Sequence, residues 1–92
     1  MIHSFADRNT QSLFRYNCPQ RFRNIGRIAI RKLIQLDKAL SIDDLRTPPG
    51  NRLEKLRGDR EGQWSIRIND QWRLCFEWRD DGAHHVEITD YH

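Results

Sequence analysis

Cysteine is nearly absent from this chain: Cys18 and Cys75 are the only two among its 92 residues. Two cysteines cannot build a disulfide scaffold, and this pair lacks the close spacing of a thiolate metal site. No apolar run approaches the ~18 residues that a membrane helix needs, so no membrane partner is expected. The opening "MIHSFADRNT" has no apolar stretch behind a basic one, so no secretory signal is expected, and the expected location is cytoplasmic. Glycine (5) and proline (3) are too few for a low-complexity or collagen-like chain, and no internal repeat is present. Lysine is scarce as well, since Lys32, Lys38 and Lys55 are the only lysines among 16 basic residues.

What is present is arginine, on a chain apolar enough to fold. At 37% hydrophobic and 32% charged residues, the composition is that of a soluble globular protein and not of a disordered one. Its length suits one domain, spanning residues 1–92, with one modest core. The net charge of +3 is unevenly divided: residues 1–46 carry nine Lys/Arg against four acids (+5), and residues 47–92 carry seven against nine (−2). The planar, forked guanidinium suits phosphate, carboxylate and base stacking, which points to nucleic acid or an acidic protein as partner.

Periodicity divides the chain into a helical half and a strand half. "IHSF" reads as a short strand, and "DRNTQSLFRY" as a helix capped by Asp7 and ended by Pro19. Over residues 21–40, Phe22, Ile25, Ala29, Leu33, Leu36 and Leu40 recur at spacings of three and four, which predicts a long helix with a broad apolar face. Arg23, Arg27, Arg31 and Lys38 fall on another side of it, within roughly 80° of arc. After "SIDDLRTPPGNR", a connection with room for one helical turn, apolar residues alternate. "RLEKLRG" predicts a short strand with Leu53 inward, and "QWSIRI" turns Trp64, Ile66 and Ile68 inward. "QWRLCFEW" does the same with Trp72, Leu74, Phe76 and Trp78, and "HHVEITDYH" with Val86 and Ile88. The expected class is α+β: two N-terminal helices on a small, mostly antiparallel sheet.

The apolar sets fix a register. Opposed residues of an antiparallel pair share a face, so a two-residue turn at Asn69-Asp70 would set every apolar residue against a polar one. A three-residue loop, Asn69-Asp70-Gln71, instead opposes Ile68 to Trp72, Ile66 to Leu74 and Trp64 to Phe76. Arg67 then stands opposite Arg73 on the polar face, where two guanidinium groups either splay into water or share an anion. A similar loop at Asp81-Gly82-Ala83 would oppose Trp78 to Val86 and Arg73 to Tyr91. Registers shifted by two residues keep Tyr91 on the arginine face but slide it along.

An arginine pair beside Asp90, Tyr91 and His92 fits a plain binding domain and, by a small margin better, a nuclease. RNA can be cut without a metal when the 2′-hydroxyl attacks its own phosphate. That requires a base, an acid at the leaving 5′-oxygen, and cations for the charge of the phosphorane. His92 has the side chain best matched to proton transfer near neutral pH, Tyr91 can donate to phosphate or stack on a base, and Asp90 can orient or accept. The loop "KLRGDREG" supplies Lys55, Arg57 and Arg60 close by, without P-loop spacing. His84 and His85 point to opposite sides of a strand and make a poor metal pair, so no metal site is expected.

The run "PPGNRLEKLRGDREGQWSIRINDQWRLCFEW…VEITDYH", with the opening "MIHSF" and the helix pair, closely resembles HigB-type toxins of the RelE superfamily, in the GraT-like branch. The resemblance covers nearly the whole chain. It implies a RelE-like fold and a type II toxin–antitoxin toxin. Such a toxin is a ribosome-dependent endoribonuclease that cleaves mRNA in the 30S A site without metal or cofactor, and a HigA-type helix-turn-helix antitoxin neutralises it. Operator DNA would be met only through the antitoxin complex. The implied catalytic residues are Arg73, Asp90, Tyr91 and His92, with Lys55, Arg57, Arg60, Arg67 and Gln71 holding RNA. Glu54 stands where some members carry a catalytic histidine, and Arg57 where they carry lysine. That departure motivates a second expectation, a toxin that binds the ribosome or RNA and inhibits without efficient cleavage.

Overall fold

The computed structural model describes residues 1–90; Tyr91 and His92 lie outside them. Helix α1 (Arg8–Arg15) begins where expected, because the Asp7 carboxylate accepts a hydrogen bond from the Thr10 amide at 3.2 Å. Helix α2 (Gly26–Lys38) is shorter than its apolar periodicity implies. Pro19 opens a 3₁₀ turn over Gln20–Phe22, which drives Phe22 into the core with its ring edge-on to Trp72 at 5.5 Å. The periodic face therefore starts with residues that are buried but not α-helical. At the other end Ala39 is already extended, so Leu40, expected inward, is 94% exposed.

Residues 41–53 cross back through two further 3₁₀ turns, Ile42–Arg46 and Pro49–Asn51, with a cis bond between Thr47 and Pro48. Asn51 anchors this crossing and is fully buried. Its amide donates to Gln35 Oε1 and the Leu45 carbonyl, both at 3.1 Å, and to the Thr47 carbonyl at 3.3 Å, while its oxygen accepts from Lys32 Nζ. Partial burial lowers the Lys32 pKa, so that side chain depends on the amide it touches.

Four antiparallel strands follow in the order β1 (Glu54–Lys55), β2 (Gln63–Arg67), β3 (Trp72–Arg79) and β4 (Gly82–Asp90). Strand β1 is a two-residue stub, and Leu56, just beyond it, is the buried residue there, with Leu53 only half-buried. The β2–β3 register is the expected one: Trp64 faces Phe76, Ile66 faces Leu74, and Arg67 faces Arg73. Asn69 closes that loop, its side-chain oxygen accepting from the amides of Gln71 (2.8 Å) and Trp72 (2.7 Å).

The second hairpin differs from expectation. Its turn is the two-residue Asp80-Asp81, with Arg79 opposite Gly82. Strand β4 then carries an extra residue between His84 and Glu87, where His85 takes φ 52°. This bulge exchanges the two faces, so Ala83, Val86 and Ile88 are all buried although strict alternation forbids it. Below the bulge Leu74 faces Ile88 and Arg73 faces Thr89, a two-residue slide from the register with Arg73 against Tyr91. "IHSF" runs parallel to β4 through bridges at Ile2–Ala83 and Phe5–Val86 and covers its outer edge. Gly82 permits this close approach: at φ 128°, a Cβ there would lie 2.2 Å from the Met1 carbonyl oxygen. Helix α1 is tied to β4 where the Ile88 amide donates to the buried Thr10 hydroxyl at 3.0 Å. Both helices cover one face of the sheet, around Phe22, Leu33, Leu36, Ile66, Leu74 and Phe76.

Candidate functional site

The other face of the sheet carries the polar halves of the alternating strands, and pairing sorts them into rows. Glu54, Ser65, Cys75 and Glu87 lie side by side across all four strands, and Arg67, Arg73 and Thr89 form the next row. Short residues in the first row leave space that long neighbours fill. Ser65 and Cys75 are therefore completely buried although no helix covers them. Burial pushes the Cys75 thiol up to about 11; the Arg60 charge works against this, the Glu87 charge adds to it, and Arg73 opposes it. The thiol is protonated at neutral pH and plays no nucleophilic part.

Arg73 is the most enclosed cation of the face, with 17% of its side chain exposed. Its Nη1 donates to the Ser65 hydroxyl at 3.1 Å and lies 3.9 Å from Glu54 Oε2. Arg67, across the hairpin from Arg73, is paired with Asp70 in the adjoining loop. Gln71 reaches over the same end of the sheet, where its amide donates to Asp90 at 3.1 Å. Arg67, Arg73 and Glu54 are thus gathered at one end of the polar face, whereas Asp90, expected beside them, pairs with Trp72 while Thr89 faces Arg73, so alternation turns Asp90 toward the other face.

Two expected RNA-binding residues are placed otherwise. Lys55 pairs with Trp64, on the face opposite the arginines, and its Nζ sits 5.8 Å from the Trp64 ring centroid. Adjacent strand residues alternate, so Glu54 and Lys55 cannot both face the arginines. Arg60 does reach the polar face, but it is committed to Glu87 (3.1 Å) and Gln63 (3.0 Å), where it roofs Cys75. Arg57 is exposed beside β1, where it lines two adjoining depressions of about 370 and 410 Å³. Tyr91 and His92, expected to take part in catalysis, lie outside the described residues.

Three further participants are not evident from the sequence. Ser65 follows from the register alone, one row from Arg73. Asp70 carries the i,i+3 spacing from Arg67 but reads only as a turn residue. Glu87 has no fixed place until the bulge is known. Among the described residues no helix is long and apolar enough to cross a membrane.

Comparison with known proteins places the chain in context. A family model described as the RelE-like toxin HigB of type II toxin–antitoxin systems matches residues 3–92. Toxin HigB-1 of Vibrio cholerae is 51% identical over 60 residues, 65% of this chain, and the chain spans 63% of that protein's length. Endoribonuclease HigB of Proteus vulgaris is 33% identical over 94 residues, with both chains fully covered. Among solved structures, the YoeB–YefM complex from Staphylococcus aureus superposes with a TM-score of 0.62 over 100% of this chain and 98% of its own, at 20% identity. That likeness is one of fold.

Proposed function

The chain belongs to the HigB family of RelE-like toxins of type II toxin–antitoxin systems, and on that footing we propose that it is an endoribonuclease that cuts mRNA in the ribosomal A site. The reading is carried by the arginine pair. The hairpin holds Arg67 and Arg73 directly opposite each other on a solvent-facing sheet, with Glu54 beside them. Like charges so opposed call for anions; Asp70 and Glu54 serve Arg67 and Arg73 in the free protein, and a phosphodiester is an anion that can join or displace them.

The mechanism follows from what each group can do. Arg73, already oriented by Ser65, donates to a non-bridging phosphate oxygen and stabilises the charge gained as the 2′-oxygen attacks. Arg67 exchanges Asp70 for the same phosphate. The base is a carboxylate, Glu54, which lies within ion-pair reach of Arg73; Asp90, opposite Trp72 at the end of β4, accepts from Gln71 and helps to hold that end of the sheet. Tyr91 and His92 supply the remaining proton donors. Because the substrate's own hydroxyl is the nucleophile, no metal is needed to make one. The face is shallow, with nothing to orient a flexible ribose, so the ribosome positions the message. Arg57 and Gln71 hold flanking phosphates. A HigA-type helix-turn-helix antitoxin neutralises the toxin in the cytoplasm, and operator DNA is contacted only through that complex.

Induced expression with mapping of mRNA 5′ ends tests this reading. Growth arrest with new ends at codon-spaced positions is the expected result. Arrest without new ends would replace it with a toxin that binds ribosome or RNA and blocks without cutting.

A further inference from the structure

On the side of β4 lined by the N-terminal segment, three metal-binding side chains meet although the sequence separates them widely. His3 comes from the parallel segment that edges β4, Asp81 from the β3–β4 turn, and His84 from the start of β4. One donor atom from each lies within 4.8 Å of the other two. The two imidazole rings are stacked, 4.9 Å apart and 17° from parallel, so that both present edges toward Asp81. His84 Nε2 is 2.7 Å from Asp81 Oδ1, and His3 Nε2 is 2.6 Å from the Asp81 carbonyl oxygen and 3.7 Å from Oδ2.

We propose that His3, Asp81 and His84 form a binding site for a divalent first-row transition ion of the Zn²⁺, Co²⁺ or Ni²⁺ type, which staples the N-terminal segment to the β3–β4 turn. Two imidazoles and one carboxylate select such ions over Mg²⁺ or Ca²⁺, which prefer all-oxygen shells. Metal–ligand bonds of 2.0–2.2 Å set neighbouring donors roughly 3 Å apart, so the three groups need move by only about 1 Å. That adjustment is open to them: 30% of the His3 side chain and 59% of Asp81 are exposed, while the better-buried His84, at 15%, acts as the fixed member. In the metal-bound form each histidine turns its proton to Nδ1 and offers Nε2, and the ion replaces the two hydrogen bonds to Asp81. The Asp81 carbonyl and water complete the shell.

The ion would reinforce the end of a junction already held by backbone bonds. Met1 and His3 bond to Ala83 at 2.9 and 2.8 Å, Ser4 and Ala6 to Val86 at 3.0 and 2.9 Å, and the Ile2 amide donates to Asp37 at 2.9 Å. A clip between residues 3 and 81 closes a loop of most of the chain, so an ion bound to the folded form stabilises it by mass action. His84 pairs with Glu77, four residues along β3 from Arg73, so the site lies toward the other end of the sheet from the arginine pair and is independent of the proposed nuclease.

Thermal unfolding of the purified chain at pH 7.5 with Zn²⁺, Mg²⁺ or EDTA tests the site. Zn²⁺ at about 100-fold above its Kd should raise Tm by roughly 10 °C, reversibly by EDTA, and Mg²⁺ should not. His3→Gln and His84→Gln should each lose most of that shift. Each comparison is made with and without metal on one variant, so a change in baseline stability does not obscure it. Co²⁺ titration followed by NMR should broaden the His3 and His84 ring signals first. No Zn²⁺ shift in the parent chain, an equal shift in the His3→Gln/His84→Gln double variant, or first broadening elsewhere would overturn the assignment.

Discussion

Arg67 faces Arg73 across the β2–β3 hairpin, while Glu54 lies 3.9 Å from the Arg73 guanidinium and Asp70 pairs with Arg67. Each cation therefore meets an acid already, and phosphate must displace or join those partners. Arg73→Ala should abolish toxicity and mRNA cleavage while the protein stays folded by circular dichroism. Arg73→Lys should recover little, because one ammonium cannot reach both Ser65 and a phosphate in the planar geometry of a guanidinium. A toxic Arg73→Ala variant would remove the arginine pair from the mechanism.

The two faces of β1 predict a contrast in salt dependence. If Arg57 and Arg67 neutralise phosphates, replacing either by Ala should reduce the log–log salt slope of RNA binding by about 0.7 for each phosphate no longer neutralised. Lys55→Ala should leave the slope unchanged, since Lys55 sits over Trp64 on the opposite face. Fluorescence anisotropy with a short single-stranded RNA measures all three. An effect at Lys55 equal to that at Arg57 would place RNA along the sheet edge instead.

Much of this face is legible because alternation is a strict code. Trp64, Ile66, Leu74 and Phe76 rule out the two-residue turn between β2 and β3, and the pairing through a three-residue loop sets Arg67 against Arg73. The β3–β4 pairing is less legible, since a bulge obeys no periodicity: His85 at φ 52° carries no residue-type signal, and alternation without it gives the wrong turn. The end of α2 is obscured for a similar reason. Leu40 continues the apolar spacing, but the helix has already stopped at Lys38. Asn51 gives no sign of being the most connected buried side chain in the crossing, because nothing near it in sequence shows that Lys32 and Gln35 of α2 will converge there with the Leu45 and Thr47 carbonyls. The His3–Asp81–His84 group is hidden likewise, with one member 78 residues from the next.

Asn51→Ala should be among the most destabilising polar substitutions. It leaves Lys32 without its acceptor and the Leu45 and Thr47 carbonyls without a donor, at roughly 1–3 kcal/mol for each buried group left unpaired. For a chain of this size, Tm should fall by about 8 °C or more. Asn51→Asp should fail as well, since it keeps the acceptor for Lys32 but loses every donated bond. Thermal melts of both variants check this, and a fall of under about 2 °C would show that the crossing is held elsewhere.

Gly82→Ala tests the edge contact. The added methyl would meet the Met1 carbonyl in a backbone region that alanine rarely adopts, so the N-terminal segment must lift away from β4. Amide exchange should accelerate at His3, Ala6 and Ala83 well before it does at Leu74, with a Tm loss of several degrees. Unchanged exchange at Ala83 would mean that the close approach is relieved without loss of pairing.

Cys75 contributes to the loss of stability at alkaline pH. Its folded pKa is raised from the ordinary 9.0 to about 11, so the folded chain holds a proton that the unfolded chain releases between those values. The stabilisation is complete below about pH 9 and is lost as pH rises through about 11, by about 2–3 kcal/mol in all. Cys75→Ala should flatten this part of the profile relative to the parent, a difference that cancels the lysine and tyrosine titrations common to both. At about pH 8 a thiol reagent should label one cysteine per folded chain, the exposed Cys18, and two after unfolding. Rapid labelling of Cys75 in the folded protein would show that Arg60 and its partners open over the sheet, exposing the floor of the arginine face to solvent.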